Sequence, residues 1–467
     1  MLVLISLLLS SSYYFLGGLK IVTYVLSLAQ FLILLDVAYG KSVTPVVSFC
    51  FMYCLFFAVR PVYILINNDY RLFDFPLYIN VGIEQINYTT FAAYLALLSF
   101  WIGGILFQKL RYFSKFYRVL IAVALPRRTY SGNISHQKII VSDWILLLIQ
   151  SVVIFPLHLL ASSAGRSLYS SGLGAYLYDL PIILQAFSIF SFILMFWKYR
   201  QRLKSFTAFL SYWPSSLSLF LVLMATYLMR DLSIFRGFYI TGLLILFIAF
   251  AHSARIKIRF IFLAAPILFL NPFFRLLGES RRFSSTELIS RVVDLSSVYF
   301  SSLWTFFDSR GDMNIFDTFV AAVQSSYDYY PYFVSWLYVP FHLVPRSLWP
   351  SKPVQGITQD LSFLNGSPLS PGISGFFFAD GGFLWMLASM FFLGLILSLT
   401  ISYIRLSHPS PLLSCFYSAL IVNSIFLTRF TLWQYFFQVL YFMVPCILMH
   451  RLFVRRQRLS PKYIVTV

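Results

Sequence analysis

Long apolar runs alternate with short polar segments along most of this 467-residue chain. About 20 apolar residues are needed for a helix to cross the hydrocarbon core of a bilayer, and backbone polar groups must be paired inside lipid. The pattern predicts twelve helical runs, several of them short, at about residues 2–17, 19–39, 43–66, 91–108, 140–161, 179–197, 208–229, 234–253, 259–275, 376–403, 411–427 and 431–450. The predicted fold class is an all-α polytopic membrane protein.

Basic clusters between the apolar runs predict how the chain is oriented. Four clusters are prominent, at residues 109–138, 198–204, 255–259 and 451–462. With about twelve transmembrane helices and both termini in the cytoplasm, all four lie on the cytoplasmic side, as the positive-inside rule expects. Topology and contacts with phospholipids therefore explain the formal net charge of +19, and we expect no nucleic-acid partner.

One long hydrophilic segment, residues 276–375, interrupts the apolar pattern and falls on the extracytoplasmic side. It contains eight of the 16 acidic residues and is rich enough in aromatic and branched side chains to fold. Within it the sequence predicts helices at Glu287–Phe307 and Ile315–Ser326. The segment separates a first membrane part, residues 1–275, from a second, residues 376–467, which ends in a basic cytoplasmic tail.

Composition supports the membrane class and excludes several kinds of chemistry. Hydrophobic residues make up 59% of the chain and charged residues 11%, whereas a soluble domain has about 25% charged residues. The four cysteines lie in apolar runs without metal-ligand spacing, and the sequence contains no phosphate-binding loop and no nucleophile elbow. We therefore expect no cofactor and no essential metal ion.

Cations on the extracytoplasmic side are the first candidates for function, because a guanidinium binds phosphate through paired, charge-assisted hydrogen bonds. They are Arg166, Arg236, Arg281, Arg282, Arg310, Arg346 and Lys352. Arg346 and Lys352 share a proline-stiffened string, Val344–Pro353, with Trp349, whose ring suits the apolar face of a sugar. Phosphate-binding groups at the outer surface of a membrane indicate a lipid-linked substrate.

Three side chains are candidates for proton transfer: Asp380, in Ala-Asp-Gly-Gly just before the tenth predicted helix, His342 and Asp312. Each has a structural alternative as a cap or an ion-pair partner, and Asp312 lies close to Arg310 in sequence. Arg60 lies deep in the third apolar run, where it either extends to the outer interface or belongs to a site.

Three motifs resemble those of the Wzy-type O-antigen polymerases, which join oligosaccharide repeat units in bacterial envelopes. They are Arg310-Gly-Asp ahead of Phe316-Asp-Thr-Phe319, the string Pro345-Arg-Ser-Leu-Trp-Pro-Ser-Lys-Pro353, and the glycine-rich acidic turn Gly375–Gly382. Relatives often carry Glu in that turn, where this chain has Asp380.

The resemblance implies a GT-C-like helical glycosyltransferase of the bacterial inner membrane that acts on undecaprenyl-pyrophosphate-linked oligosaccharides. The extracytoplasmic cations would then bind the pyrophosphate and lipid head groups, and Trp349 would stack on sugar. Membrane lipids and a polysaccharide chain-length regulator are further candidate partners. Two alternatives remain open: an O-antigen ligase, which transfers glycan to lipid A core and would use His342, and a lipid-linked oligosaccharide flippase or other transporter.

Overall fold

The computed structural model describes the chain in segments, and its described part is mostly helical. The segments are residues 19–38, 43–68, 70–72, 79–110, 136–160, 180–199, 206–232, 237–259, 315–324, 336, 339–340, 349, 370–406, 410–429 and 431–457. Among these residues, seven helices are long and apolar enough to cross a membrane. The prediction of a helical membrane protein is confirmed at that level.

The helices, in chain order, are α1 (Ile21–Ala38), α2 (Pro45–Asn67), α3 (Ile83–Leu110), α4 (Asp143–Leu160), α5 (Leu180–Tyr199), α6 (Phe206–Ser211), α7 (Trp213–Leu232), α8 (Gly237–Ser253), α9 (Ile315–Gln324), α10 (Gly372–Leu406), α11 (Pro411–Leu427) and α12 (Leu432–Phe453). Two antiparallel pairs of short strands accompany them, β1 (Arg71–Leu72) with β2 (Ile79–Asn80) and β3 (His136–Ile139) with β4 (Val454–Gln457).

The predicted apolar runs that fall within the described residues all coincide with helices. The runs at 2–17 and 259–275 lie outside the described residues, apart from Arg259. In the long hydrophilic segment 276–375, α9 begins at Ile315 as predicted, whereas the helix predicted at Glu287–Phe307 lies outside the described residues.

The predicted start of α3 at residue 91 is wrong, because the helix begins at Ile83 and includes a polar first part. Asn87 in that part is fully buried. Its Nδ2 donates to the Leu19 carbonyl at 3.2 Å, and its Oδ1 accepts a hydrogen bond from Thr23 of α1. Polar groups that are hydrogen-bonded in this way are stable inside a protein. They also lower the hydropathy of residues 83–90, so the apolar pattern did not predict this part of the helix.

The described helices belong to two compact units whose chain segments alternate. The first unit comprises Met1–Lys109, Ile258–Ser402 and Ser424–Phe436, and the second comprises Leu110–Lys257, Tyr403–Asn423 and Phe437–Val467. The first unit therefore contains α1, α2, α3, α9 and most of α10. The second contains α4 to α8, β3 and β4, and most of α11 and α12.

A proline sets the local geometry of α2 in the first unit. The helix widens into a π-helical segment, Leu55–Val59, just before Pro61. Proline has no N–H, so it cannot donate to the Phe57 carbonyl one turn earlier. Gln30 of α1 donates to that carbonyl instead, at 3.2 Å. The side-chain amide thus replaces the missing hydrogen bond next to Arg60, and π-helical segments are frequent at functional sites.

Glycines allow α3 and α10 to approach closely within the first unit. A Cβ atom added to Gly394 would lie 2.0 Å from the Phe100 carbonyl oxygen, and one added to Gly103 would lie 2.1 Å from that of Phe391. Small residues at such contacts are common between membrane helices, where packing and not water expulsion drives association. The contact fixes the second half of α10 against α3.

A buried carboxylate joins three helix ends in the second unit. Asp143, at the start of α4, accepts from Lys198 Nζ and from Tyr212 Oη, both at 3.0 Å. Tyr199 also donates a hydrogen bond to it. The C-terminal end of α5 and the N-terminal ends of α4 and α7 therefore lie together.

Further contacts bring other chain segments to the same end of the second unit. Trp197 of α5 donates to the Ser253 hydroxyl at the end of α8, at 2.8 Å. The strands β3 and β4 pair in a register that places Lys138 opposite Arg455. Each of the four basic clusters has residues that are described and belong to this unit. These residues therefore lie together at one end of the unit.

Candidate functional site

Only two of the candidate site residues derived from the sequence lie within the described residues, Asp380 and Trp349. Those outside are Arg166, Arg236, Arg281, Arg282, Arg310, Asp312, His342, Arg346 and Lys352. Trp349 is half-buried and interacts with at least one other group of the protein. The site in the described part of the chain is therefore built around Asp380, in the first unit.

Asp380 ends the first helical part of α10 and directly precedes the break that separates it from the longer second part. The helix begins at Gly372 and is interrupted after Asp380 by Gly381 (φ −179°, ψ 20°) and Gly382 (φ 77°, ψ −166°). Gly382 has a backbone conformation that residues with a Cβ rarely adopt. The expected turn is therefore a break between two helical parts, Gly372–Asp380 and the remainder.

Every residue in the first part of α10, from Gly372 to Asp380, is buried. Asp380 itself is only 7% exposed. Non-helical backbone at membrane depth is tolerated where it is enclosed by protein or lines a polar cavity. An acidic side chain at such a break is costly, and by default it marks a functional site.

A buried ion pair, Arg60 with Asp317, lies in the same unit. Arg60 Nε donates to Asp317 Oδ1 at 3.0 Å, and Arg60 Nη2 donates to Asp317 Oδ2 at 2.9 Å. Their side chains are 3% and 0% exposed. Arg60 is therefore buried in an ion pair within the protein and does not extend to solvent. It lies seven residues before the end of α2, which corresponds to about 10 Å along the helix.

The ion pair attaches α9, which belongs to the long hydrophilic segment 276–375, to α2. Eight consecutive residues of α9, Ile315–Ala322, are buried. Phe319 of α9 packs edge-on against Phe57 of α2, with ring centroids 5.7 Å apart, and against Phe378 of α10, at 6.2 Å. The helix therefore lies against both α2 and the first part of α10, two residues from Asp380.

Two further contacts hold the first part of α10 in place, and a third anchors the tyrosine that makes one of them. Tyr53 of α2 hydrogen-bonds to Ser374 at 2.7 Å and donates to the Ala93 carbonyl of α3 at 3.1 Å. The Ile373 amide donates to the Thr428 carbonyl at 3.3 Å. Hydrogen bonds of this kind are the main polar interactions between membrane helices. They orient the segment that ends in Asp380.

An aromatic residue of the long segment contacts both sides of the helix break. Trp336 stacks on Phe377, with parallel rings 6.0 Å apart, and its indole Nε1 donates to the Ser389 hydroxyl at 3.1 Å. Phe377 precedes the break and Ser389 follows it. Trp336 therefore bridges the two parts of α10.

Asp380 and the Arg60–Asp317 pair are the ionisable side chains around which this site is described. In the described part of the chain, no three His, Cys, Asp or Glu side chains lie close enough together to hold a metal ion. Arg60 is charge-compensated by Asp317, so the pair orients α9 and contributes little net charge. Asp380, at the end of a helical segment next to a break, is the sequence-derived candidate for proton transfer that lies within the described residues.

The sequence did not reveal the partner of Arg60, although Arg-Pro inside an apolar run was a signal that this position is unusual. Tyr53 and Ser374 gave no such signal, because isolated hydroxyls are common in membrane helices. Comparison of the chain with protein-family models, with curated proteins and with solved structures finds no match.

Proposed function

We propose that this protein is a metal-independent membrane glycosyltransferase that polymerises oligosaccharide repeat units carried on undecaprenyl pyrophosphate. Its product would be O-antigen or a similar surface polysaccharide, made at the outer face of the bacterial inner membrane. The observation that carries the proposal is the contact between Phe319 and Phe378. It joins two of the three polymerase-like motifs, Phe316–Phe319 and Gly375–Gly382, which are distant in sequence.

The full membrane topology belongs to the same proposal. About twelve spans, with both termini in the cytoplasm and a GT-C-like arrangement, would place 276–375 outside. One observation supports this orientation. Basic segments gather at one end of the second unit, as the positive-inside rule expects.

The proposed reaction transfers a growing glycan from its carrier to an incoming lipid-linked repeat unit. A sugar hydroxyl of the incoming unit attacks the anomeric carbon of the growing chain, and the bond from that carbon to the pyrophosphate oxygen breaks. Asp380 takes the hydroxyl proton, with His342 and Asp312 as the alternative acceptors. The negative charge that develops on the departing pyrophosphate is stabilised by fixed cations.

The proposed roles of the cations follow from their positions in the sequence. Arg166, Arg310 and Arg346 bind the pyrophosphate, and Lys352 assists them. Arg281 and Arg282 guide lipid head groups, while Arg236 reaches the pyrophosphate from another loop. Trp349 stacks on the sugar next to the reacting bond. A guanidinium suits this task because its planar fork matches two phosphate oxygens at once.

A transporter of lipid-linked oligosaccharides is the second candidate, and the break in α10 favours it. Transporters often bind their substrates at discontinuous membrane helices with buried ionisable residues. Gly381–Gly382 with Asp380, and the Arg60–Asp317 pair, are features of this kind. In a transporter, however, the long extracytoplasmic segment would have no direct role in binding.

A deletion strain separates these functions by the form in which glycan accumulates. Loss of a polymerase leaves lipopolysaccharide with a single repeat unit. Loss of an O-antigen ligase leaves polymer on the lipid carrier and none on lipid A core, and loss of a flippase leaves single units on the cytoplasmic side. The proposal predicts the first pattern, with polymer restored by a plasmid-borne copy, and either other pattern contradicts it.

A further inference from the structure

The second unit contains a small cavity, with a mainly apolar lining, that the proposed function does not use. It lies among α5, α8, α11 and α12, and its interior volume is about 10 Å³. The polar side chains that line it are Gln185, Thr241, Asn423 and Gln438, opposite apolar side chains such as Phe442. About one water-sized molecule fits at its centre.

Asn423 supplies the observation that points to a ligand. Its side chain lines the cavity and the residue is only 1% exposed. The Nδ2 group donates to the Ala419 carbonyl of its own helix at 2.8 Å. The Oδ1 atom has no hydrogen-bond partner among the residues that the structure describes. A buried amide oxygen without a donor is destabilising, so this position requires a hydrogen-bond donor.

The opposite wall of the cavity is held rigidly. Gln185 Nε2 donates to the Thr226 hydroxyl of α7 at 3.1 Å. A Cβ atom added to Gly242 would lie 1.8 Å from that same nitrogen, so the amide packs directly on the backbone of α8. The cavity keeps its shape because Gln185 cannot move inwards without losing the Thr226 hydrogen bond.

The lining determines what kind of ligand fits. It contains three amides and one hydroxyl but no charged side chain, so an ion would be placed in an apolar interior without compensation. A neutral molecule that both donates and accepts hydrogen bonds satisfies the Asn423 oxygen and the amide groups together. The size of the space limits this molecule to water.

We propose that the cavity binds a water molecule that donates a hydrogen bond to Asn423 Oδ1 and accepts one from the Gln438 amide. The water links α11 to α12 and lies beside Thr241 of α8. Buried waters typically make two to four hydrogen bonds and are costly to remove. The site is independent of the glycosyltransferase proposal, because it contains none of the residues assigned to the reaction.

Radiolytic hydroxyl labelling of the full-length protein in detergent tests the site, because ionised bound water oxidises the side chains next to it. Phe442, which lines the cavity, should be oxidised several-fold faster than Phe192, an equally buried ring of the same unit that packs on Phe209. Equal rates for the two rings would overturn the proposal.

Substitution of Asn423 gives the second arm of the experiment. Asn423→Leu removes the acceptor, and the oxidation of Phe442 should fall to the rate of Phe192. Asn423→Ser, which replaces the amide oxygen with a hydroxyl oxygen that can also accept and is smaller, should retain labelling above that rate. Unchanged labelling of a folded Leu variant would overturn the assignment of Asn423. The wild-type comparison tests the bound water even if the Leu variant does not fold.

Discussion

Arg60 and Asp317 form a bidentate ion pair across 257 positions of sequence, with donor–acceptor distances of 3.0 and 2.9 Å. Both side chains are almost completely buried. A buried pair contributes little more than a well-packed apolar pair of the same size, because both charges lose their hydration. Breaking it is costly, since the remaining charge has no adequate compensation. The pair therefore specifies where α9 attaches.

Removal of either partner should destabilise the first unit more than removal of both. Asp317→Asn or Arg60→Met should each lower the free energy of unfolding by about 3–5 kcal/mol. The double variant Arg60→Met with Asp317→Leu should recover much of that loss. Unfolding of the purified protein in increasing fractions of SDS measures all three. Strictly additive losses in the double variant would contradict a direct ion pair.

Lys198→Met provides a matched control for the buried pair. Lys198 also pairs with a buried aspartate, Asp143, but its side chain is 30% exposed. After the substitution, Asp143 still accepts hydrogen bonds from Tyr199 and Tyr212. The loss of stability should therefore be clearly smaller than that of Arg60→Met.

The close contact of α3 and α10 should tolerate no side chain at Gly394. In Gly394→Ala the new Cβ would lie 2.0 Å from the Phe100 carbonyl oxygen, and neither backbone can move aside without separating the helices. Overpacking of this kind costs about 1–3 kcal/mol. Gly82→Ala is the control, since its Cβ would meet only the Gln85 side chain, at 3.8 Å. Thermal unfolding in detergent should show a lower midpoint for the first variant alone.

The break in α10 should depend on Gly382 and not on Gly381. The positive φ of 77° at Gly382 is strained for any residue with a Cβ, whereas Gly381 is extended. Gly382→Ala should cost about 1–3 kcal/mol of stability, and it should also shorten the polysaccharide because Asp380 is displaced. Gly381→Ala should leave chain length near that of the wild type. Gel electrophoresis of the glycan from complemented deletion strains compares them, and equal effects would show that the break has no special role.

Asp380 should be needed for the reaction but not for folding. Asp380→Asn keeps the size and the hydrogen-bonding shape of the side chain but removes its ability to accept a proton at neutral pH. The variant should accumulate at wild-type levels in the membrane and yield lipopolysaccharide with a single repeat unit. Asp380→Glu should retain partial polymerisation, since the carboxylate is kept. A fully active Asn variant would make His342 or Asp312 the better candidate.

Helix positions could be predicted from the sequence wherever a long run of apolar residues forms the helix. The start of α9 at Ile315 followed from its polar–apolar pattern, because the same residues that pack in the first unit create that pattern. Hydropathy did not predict the first part of α3, from Ile83, because this part contains buried polar groups. Asn87 is tolerated there because Thr23 and the Leu19 carbonyl form hydrogen bonds with its amide.

The candidate site was less predictable, because it depends on contacts between distant segments. The acidic turn at Gly375–Gly382 was recognised as a motif, but its helical first part follows from contacts such as that of Ser374 with Tyr53. Nothing local to Arg60 indicates that Asp317 lies beside it. Pairing of β3 with β4 likewise joins two basic segments that no local pattern connects.

The most direct test of the polymerase assignment is chain growth by the purified protein in vitro. Full-length protein in detergent or liposomes would be incubated with undecaprenyl-pyrophosphate-linked repeat units and a metal chelator. A ladder of products differing by one repeat unit is expected. Arg346→Ala should slow its formation by roughly 10²–10³-fold, because one phosphate-binding cation is removed from the transition state. No product under any condition, with or without metal ions, would contradict the assignment and favour transport.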